Sequence, residues 1–179
     1  MVKLIIVTGF PATGKTTIAS HLSKTLILPL FTKDTYKELL FDQLGVKDRA
    51  WSRQLGKAAI EILFRELEEC LKADVSIIVD ANFMLDRDSA RMSALIKSYE
   101  PIVTQILCKA KGEVLVDRFS ERTNRGRHPG HNDQVTLEKL RPIFLSGLVE
   151  PLDIVGKLIE IDTTDWNSVD LEALTNEVK

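Results

Sequence analysis

The chain has 179 residues, 44% of them apolar and 28% charged, with a net charge of −2. That mixture suits one globular domain, residues 1–179, around one filled core, and it excludes a general pull toward nucleic acid or an anionic membrane. No window approaches the roughly 18 apolar residues of a membrane span. Cys70 and Cys108 lack CxxC spacing and read as free thiols of a reducing, cytoplasmic setting.

The first element is "VKLIIVT" (2–8), a continuous apolar run expected of a strand buried on both faces. It runs directly into "GFPATGKTT" (9–17) without the cleavage pattern of a signal peptide. Ile18, Leu22 and Leu26 then recur at helical spacing. "LPLFTK" (28–33) predicts a second strand with Asp34 at its end, and Tyr36, Leu39, Leu40 and Leu44 predict a helix that Gly45 stops. A longer amphipathic helix is expected from about 50 to 72. "VSIIVDAN" (75–82) predicts a central strand, with Asp86 capping a helix over 87–98. Further strands are expected at 101–110 and 158–164, and helices at 112–123 and about 135–149. "TNRGRHPGHND" (123–133) reads as a loop, and Asn167 or Ser168 as the cap of a last helix. This alternation argues for an α/β fold, a parallel sheet covered by helices on both faces.

Residues 9–16 fit GxxxxGK[ST], the phosphate-binding P-loop. Gly9 and Gly14 permit positive φ, so the amides of Pro11, Ala12, Thr13 and their neighbours can turn into an anion nest at a helix N-terminus (a proline brings no N–H of its own). Lys15 supplies an ammonium for the β- and γ-phosphates, the Thr16 hydroxyl can ligate Mg²⁺, and Thr17 follows in the same turn. ATP with Mg²⁺ is the expected ligand pair, since no guanine-recognition motif is present.

Three further stretches bear on what is done with the nucleotide. Asp34 has two readings: a helix cap, or a carboxylate at the sheet's carboxyl edge that accepts the proton of an acceptor hydroxyl. Asp80 ends a strand where a Mg²⁺-holding acid is expected, with Asn82 and Arg87 just beyond on the same edge or serving only as loop polarity and a solvated helix face. "VDRFSERTNRGRHPGH" gathers Arg118, Arg122, Arg125, Arg127, His128 and His131 into one region of a mildly acidic chain. Phosphoryl transfer uses such charges in a mobile lid, here about 118–134. The alternative is a solvated basic helix and turn. An acceptor flap is expected over about 34–57, offering Tyr36, Lys37, Arg49, Arg53 and Gln54, with Trp51 either stacking on an acceptor or packing at a helix end.

"GFPATGKTT", "KDTYKELLFDQLG", "IIVDANF" and "DRFSERTNRGRHPGH" together resemble the small bacterial P-loop kinases that carry an AAA domain. These are relatives of the polynucleotide 5′-hydroxyl kinases, the zeta toxins and chloramphenicol phosphotransferase. The resemblance covers about residues 2–150. It implies a P-loop NTPase of three α/β/α layers with a five-stranded parallel sheet in the order 2-3-1-4-5, like the nucleoside and shikimate kinases, closed by a lid. It implies Asp34 as acceptor-side base, Arg118 on adenine and Arg122 on the phosphates. Polynucleotide kinases keep an arginine shortly after that aspartate, where this chain has Lys37, a cation without a bidentate fork. The leading expectation is therefore a small-molecule kinase. Behind it stand a polynucleotide 5′-hydroxyl kinase and a nucleotide-binding regulatory module with weak ATPase.

Overall fold

Strand β1 (Lys3–Gly9) is buried from Leu4 onward, and its neighbours in the sheet explain why. It pairs in parallel with β3 (Ile77–Asp80) on one side and β4 (Ile102–Lys109) on the other. The short β2 (Leu30–Thr32) adds beyond β3, and β5 (Lys157–Asp162) beyond β4, giving a parallel sheet in the order β2-β3-β1-β4-β5. The structure, a computed structural model, describes residues 1–124, 127–131 and 133–179.

Alternation along each strand sorts its side chains to two helical layers. Leu4, Ile6, Ile77 and Val79 face α3 (Arg49–Lys72) and α4 (Leu85–Tyr99), packing on Leu63, Leu67, Met92 and Ile96. Ile5, Val7, Ile78 and Ile106 face α1 (Lys15–Leu26) and α7 (Leu171–Val178), against Ile18, Leu22 and Leu174. A strand covered on both faces has few polar positions, which is why Leu4–Val7 and Ile77–Val79 read as unbroken apolar runs.

The expected helix starts are corrected at three caps. Thr32, not Asp34, caps α2 (Lys33–Leu44): its hydroxyl accepts the Thr35 N–H at 3.1 Å. Asp86 lies inside the first turn of α4, and it is Asp88 that accepts the Met84 N–H at 2.8 Å. Asp170 caps α7 by accepting from Ala173, while residues 166–168 form a separate 3₁₀ turn. The 123–133 stretch contains a 3₁₀ turn at Pro129–His131, between α5 (Gly112–Asn124) and α6 (Asp133–Ser146). Leu115 and Phe119 of α5 pack with Phe144 of α6 in a separate small core, and Phe10 of the P-loop joins them. Helices α5 and α6 are thus anchored to the phosphate loop itself.

Gly56 sits inside α3, where glycine costs about 1 kcal/mol relative to alanine. A Cβ there would meet only the Lys37 side chain, at 3.7 Å, an ordinary contact. Gly56→Ala should therefore stabilise the chain by about 0.5–1 kcal/mol. A thermal melt should rise by about 2–4 °C per kcal/mol for a domain of this size. An unchanged or lower midpoint would contradict this account.

Candidate active site

The carboxyl ends of β1, β2 and β3 open into one cavity of about 570 Å³. The P-loop forms its floor. Gly9 (φ 138°), Ala12 (φ 68°) and Gly14 (φ 82°) all hold positive φ. Ala12 does so despite its Cβ, at about 1–2 kcal/mol, strain of a kind that persists at sites where backbone amides must turn toward a ligand. Gly14 has a second reason to be glycine, because a Cβ would lie 2.6 Å from the Trp166 ring. Thr13 is buried and its hydroxyl donates to the Phe10 carbonyl, while Thr16 and Thr17 reach the cavity.

Lys15 Nζ donates to the Phe10 carbonyl at 2.8 Å. Burial pushes its ammonium below the usual lysine range, with Asp80 opposing. The Thr16 hydroxyl donates to Asp80 Oδ2 at 2.6 Å. Parallel pairing sets Asp80 opposite Val7, just before the P-loop, so β3 delivers the carboxylate to the α1 N-terminus that carries the hydroxyl. Burial raises the Asp80 carboxyl, with Lys15 and the Thr16 hydroxyl pulling the other way. A hydroxyl and a carboxylate so placed beside an anion nest are a fitting donor set for the Mg²⁺ of a nucleotide.

Asp34 lies in the first turn of α2, on the same cavity, with its side chain half exposed. Arg127 Nη2 donates to its Oδ2 at 2.8 Å. Burial would raise this carboxyl, but Arg127 and Lys33 together outweigh burial and hold it at about 2. Lys33 reaches across to Asn82 Oδ1 at 3.2 Å, and both line the cavity.

The "RHPGH" stretch is a clasp onto α2 and α3. His128 stacks on Phe41 of α2 (centroids 5.3 Å apart) and pairs with Asp42. Gly130 lies so close that a Cβ would sit 2.4 Å from the Phe41 ring, and its carbonyl accepts from the Ser52 hydroxyl of α3 at 2.9 Å. His131 Nδ1 is 3.2 Å from Arg127 Nη2, and Nε2 is 2.7 Å from Glu38 Oε1. Arginine can only donate, so Nδ1 accepts and Nε2–H donates to Glu38. His131 is thereby neutral, and it holds Arg127 on Asp34.

Burial, followed by the nearby Arg127 charge, lowers the His131 ring to about 3. In the unfolded chain it takes a proton near 6.5, so between those values the unfolded state binds more protons and stability falls as pH falls. His131→Gln should remove that component. Its melting temperature should drop less than the wild type's between about pH 6.5 and 4. Parallel pH profiles would exclude a buried neutral His131.

The structure separates residues that the sequence places side by side. Arg118 and Arg122 are one helical turn apart, yet Arg118 turns away to donate to the Thr163 and Thr164 carbonyls at 2.8 and 3.2 Å. Arg122 lies over the Phe119 ring at 3.9 Å and lines the cavity. Arg53 is exposed and off the cavity; Arg49, one turn earlier, lines it instead. Lys37 and His131 line it, whereas His128 faces Asp42 and Phe41. Trp51 donates to the Gly45 carbonyl at 2.9 Å under Lys47, closing the α2–α3 turn rather than the cavity. Arg125 lies outside the described residues. Arg87, expected on the cavity edge beside Asn82, turns to Asp88 and lies off the cavity. Glu38, Thr163 and Trp166 carried no sequence signal. Thr163, which donates to the Thr13 carbonyl at 2.8 Å, reaches the P-loop only through the sheet.

A family model described as AAA domain matches residues 4–144. None of the curated proteins matches the chain. Among solved structures, a candidate kinase of Chloroflexus aurantiacus J-10-fl is 40% identical with a TM-score of 0.91, over 99% of this chain and 96% of its own. Shikimate kinase of Acinetobacter baumannii is 15% identical at TM-score 0.52, over 99% and 90% of the two chains. A chain of the Pnkp1/Rnl/Hen1 RNA repair complex is 18% identical at TM-score 0.55, over 86% of this chain and 49% of that one. The last two likenesses are of fold alone, the P-loop kinase fold.

Proposed function

The chain belongs to the AAA domain family, and on that footing we propose that it is a kinase, moving the γ-phosphoryl of Mg-ATP to a hydroxyl of a small-molecule acceptor. One observation carries the reading. Lys15, the 2.6 Å pair of Thr16 with Asp80, and Asp34 all line a single cavity, so phosphate-binding and acceptor-side groups face one space. The name of the 40% identical relative points the same way.

In this reading the P-loop amides and Lys15 hold the triphosphate, and Thr16 and Asp80 hold Mg²⁺. An ion held by these two side chains would supply positive charge against the phosphate oxygens. Asp34 orients the acceptor hydroxyl and takes its proton as the oxygen bonds to the γ-phosphorus. The bond from that phosphorus to the β,γ-bridging oxygen breaks, and its electron pair leaves with ADP. Arg122 and Arg127 stabilise charge on the transferring oxygens. Arg118, bound to the end of β5 beside the P-loop, is proposed for the adenine side.

The test is transfer of label from γ-labelled ATP with Mg²⁺, against a panel of hydroxylated metabolites and a 5′-hydroxyl oligonucleotide. Label on a small molecule is the expected result. Label on the oligonucleotide alone would replace it with the polynucleotide reading. Acceptor-independent ATPase across the panel would leave the regulatory module.

A further inference from the structure

Lys37 lines the cavity and is 7% exposed. Its Nζ lies 5.3 Å from the centroid of the Phe41 ring. Among the described residues it makes no hydrogen bond and no ion pair. Burial, reinforced by Lys33, lowers its ammonium to about 8. An ammonium held mostly out of water against a ring face is costly, and an anion brought to it offsets that cost. Lys33 and Arg49 line the same region and add positive potential.

A second part of the lining, supplied by other elements, is aliphatic. Met84 comes from the loop after β3, Leu140 and Ile143 from α6, and Leu148 and Val149 from the segment beyond it. Met84, Ile143 and Leu148 are 55%, 46% and 77% exposed, so three large apolar side chains of this cavity are open to a ligand. Single exposed apolar residues mean little, but five that line one cavity offer apolar ligand surface. A bare sugar or a phosphodiester would leave these five side chains without a complementary surface.

Resting on the phosphotransfer reading, we propose that the acceptor is a small amphiphile: a hydroxyl compound whose carboxylate or phosphate group pairs with Lys37 and whose aliphatic body packs on Met84, Leu140, Ile143, Leu148 and Val149. Asp34 meets the hydroxyl between these two regions. Lys37 is the specificity-determining residue, and the aliphatic side chains set the preference for chain length.

The test is calorimetric titration of the full chain with octanoate, octyl phosphate, octanol and glycolate. Wild type, Lys37→Met and Ile143→Ser are compared, each first checked by thermal melt; methionine replaces the buried cation with an apolar side chain of similar length. Octanoate or octyl phosphate should bind the wild type, and the tighter of the two identifies the natural anionic group. Lys37→Met should weaken that binding about tenfold or more, as expected for a hydrogen bond between charged groups. Octanol and glycolate should each bind about tenfold more weakly than the preferred octyl anion, and Ile143→Ser should weaken the octyl probes while leaving glycolate unchanged. Octyl anions that do not bind the wild type, or that bind Lys37→Met equally well, would overturn the proposal. So would octanol binding as tightly as octanoate and octyl phosphate. MgATP affinity and label transfer are read separately. Lys37-dependent anion binding without transfer from ATP would sink the kinase reading alone, and transfer to neutral or purely polar acceptors would sink the amphiphile alone.

Discussion

Asp34→Asn should abolish phosphoryl transfer while sparing MgATP binding. Loss of a positioned proton acceptor costs about 10²–10⁴ in rate. The substitution is nearly isosteric, and asparagine's carbonyl oxygen can still accept from Arg127, so the 2.8 Å contact that orients the side chain need not be lost. What disappears is the ability to accept a proton. Asp34 is half exposed, so the ion pair it forms contributes little to stability and the fold should be unaffected. The pKa of about 2 makes it a weak base. That is compatible with a loose transition state, in which the hydroxyl proton departs late and orientation matters more than basicity. Single-turnover label transfer and MgATP titration on the same preparation check the two halves. Wild-type transfer by the variant would remove Asp34 from the mechanism.

Gly130→Ala should be nearly as damaging, although residue 130 touches neither nucleotide nor acceptor in the proposed mechanism. The added Cβ would lie 2.4–2.6 Å from three atoms of the Phe41 ring. That ring is 2% exposed and stacked on His128, so it has nowhere to retreat. Overpacking of this kind costs about 1–3 kcal/mol. Outward movement of the 127–131 segment would relieve the clash, and it would carry Arg127 off Asp34 and break the Ser52–Gly130 hydrogen bond. Displacing catalytic groups by about 1 Å costs on the order of 10² in rate. Transfer should therefore fall about a hundredfold while MgATP affinity, set by the P-loop, stays near the wild-type value. An alanine variant with full activity and an unchanged melt would show that the clasp has no role in catalysis.

Local signals carried much of the architecture. The apolar runs at β1 and β3 come from burial on both faces, and the 3.6-residue stripe of α3 from burial on one. Both patterns are written in consecutive residues and need no knowledge of partners. The P-loop is equally local: a strand, a glycine-containing turn and a helix start, with Lys15 and Thr16 at set positions. Helix starts were less legible, because Thr32, Asp34, Asp86 and Asp88 can all cap in principle, and backbone dihedrals choose among them.

The sequence by itself determined the alternating α/β order, the phosphate loop and the acid at the end of β3. Those features depend on contacts within a few residues, or on burial that imprints a period on the chain. Only the tertiary structure decided which basic side chains face the cavity. Arg49 rather than Arg53 does so, and Arg122 rather than Arg118, because helix rotation against the sheet and the pull of the Thr163 carbonyl are set by packing. It alone turned "RHPGH" from a basic loop into a clasp, since Arg127–Asp34 and His131–Glu38 each join residues 93 positions apart. A pairing over that distance leaves no period in the sequence, and it exists only where α2 and the 127–131 segment meet.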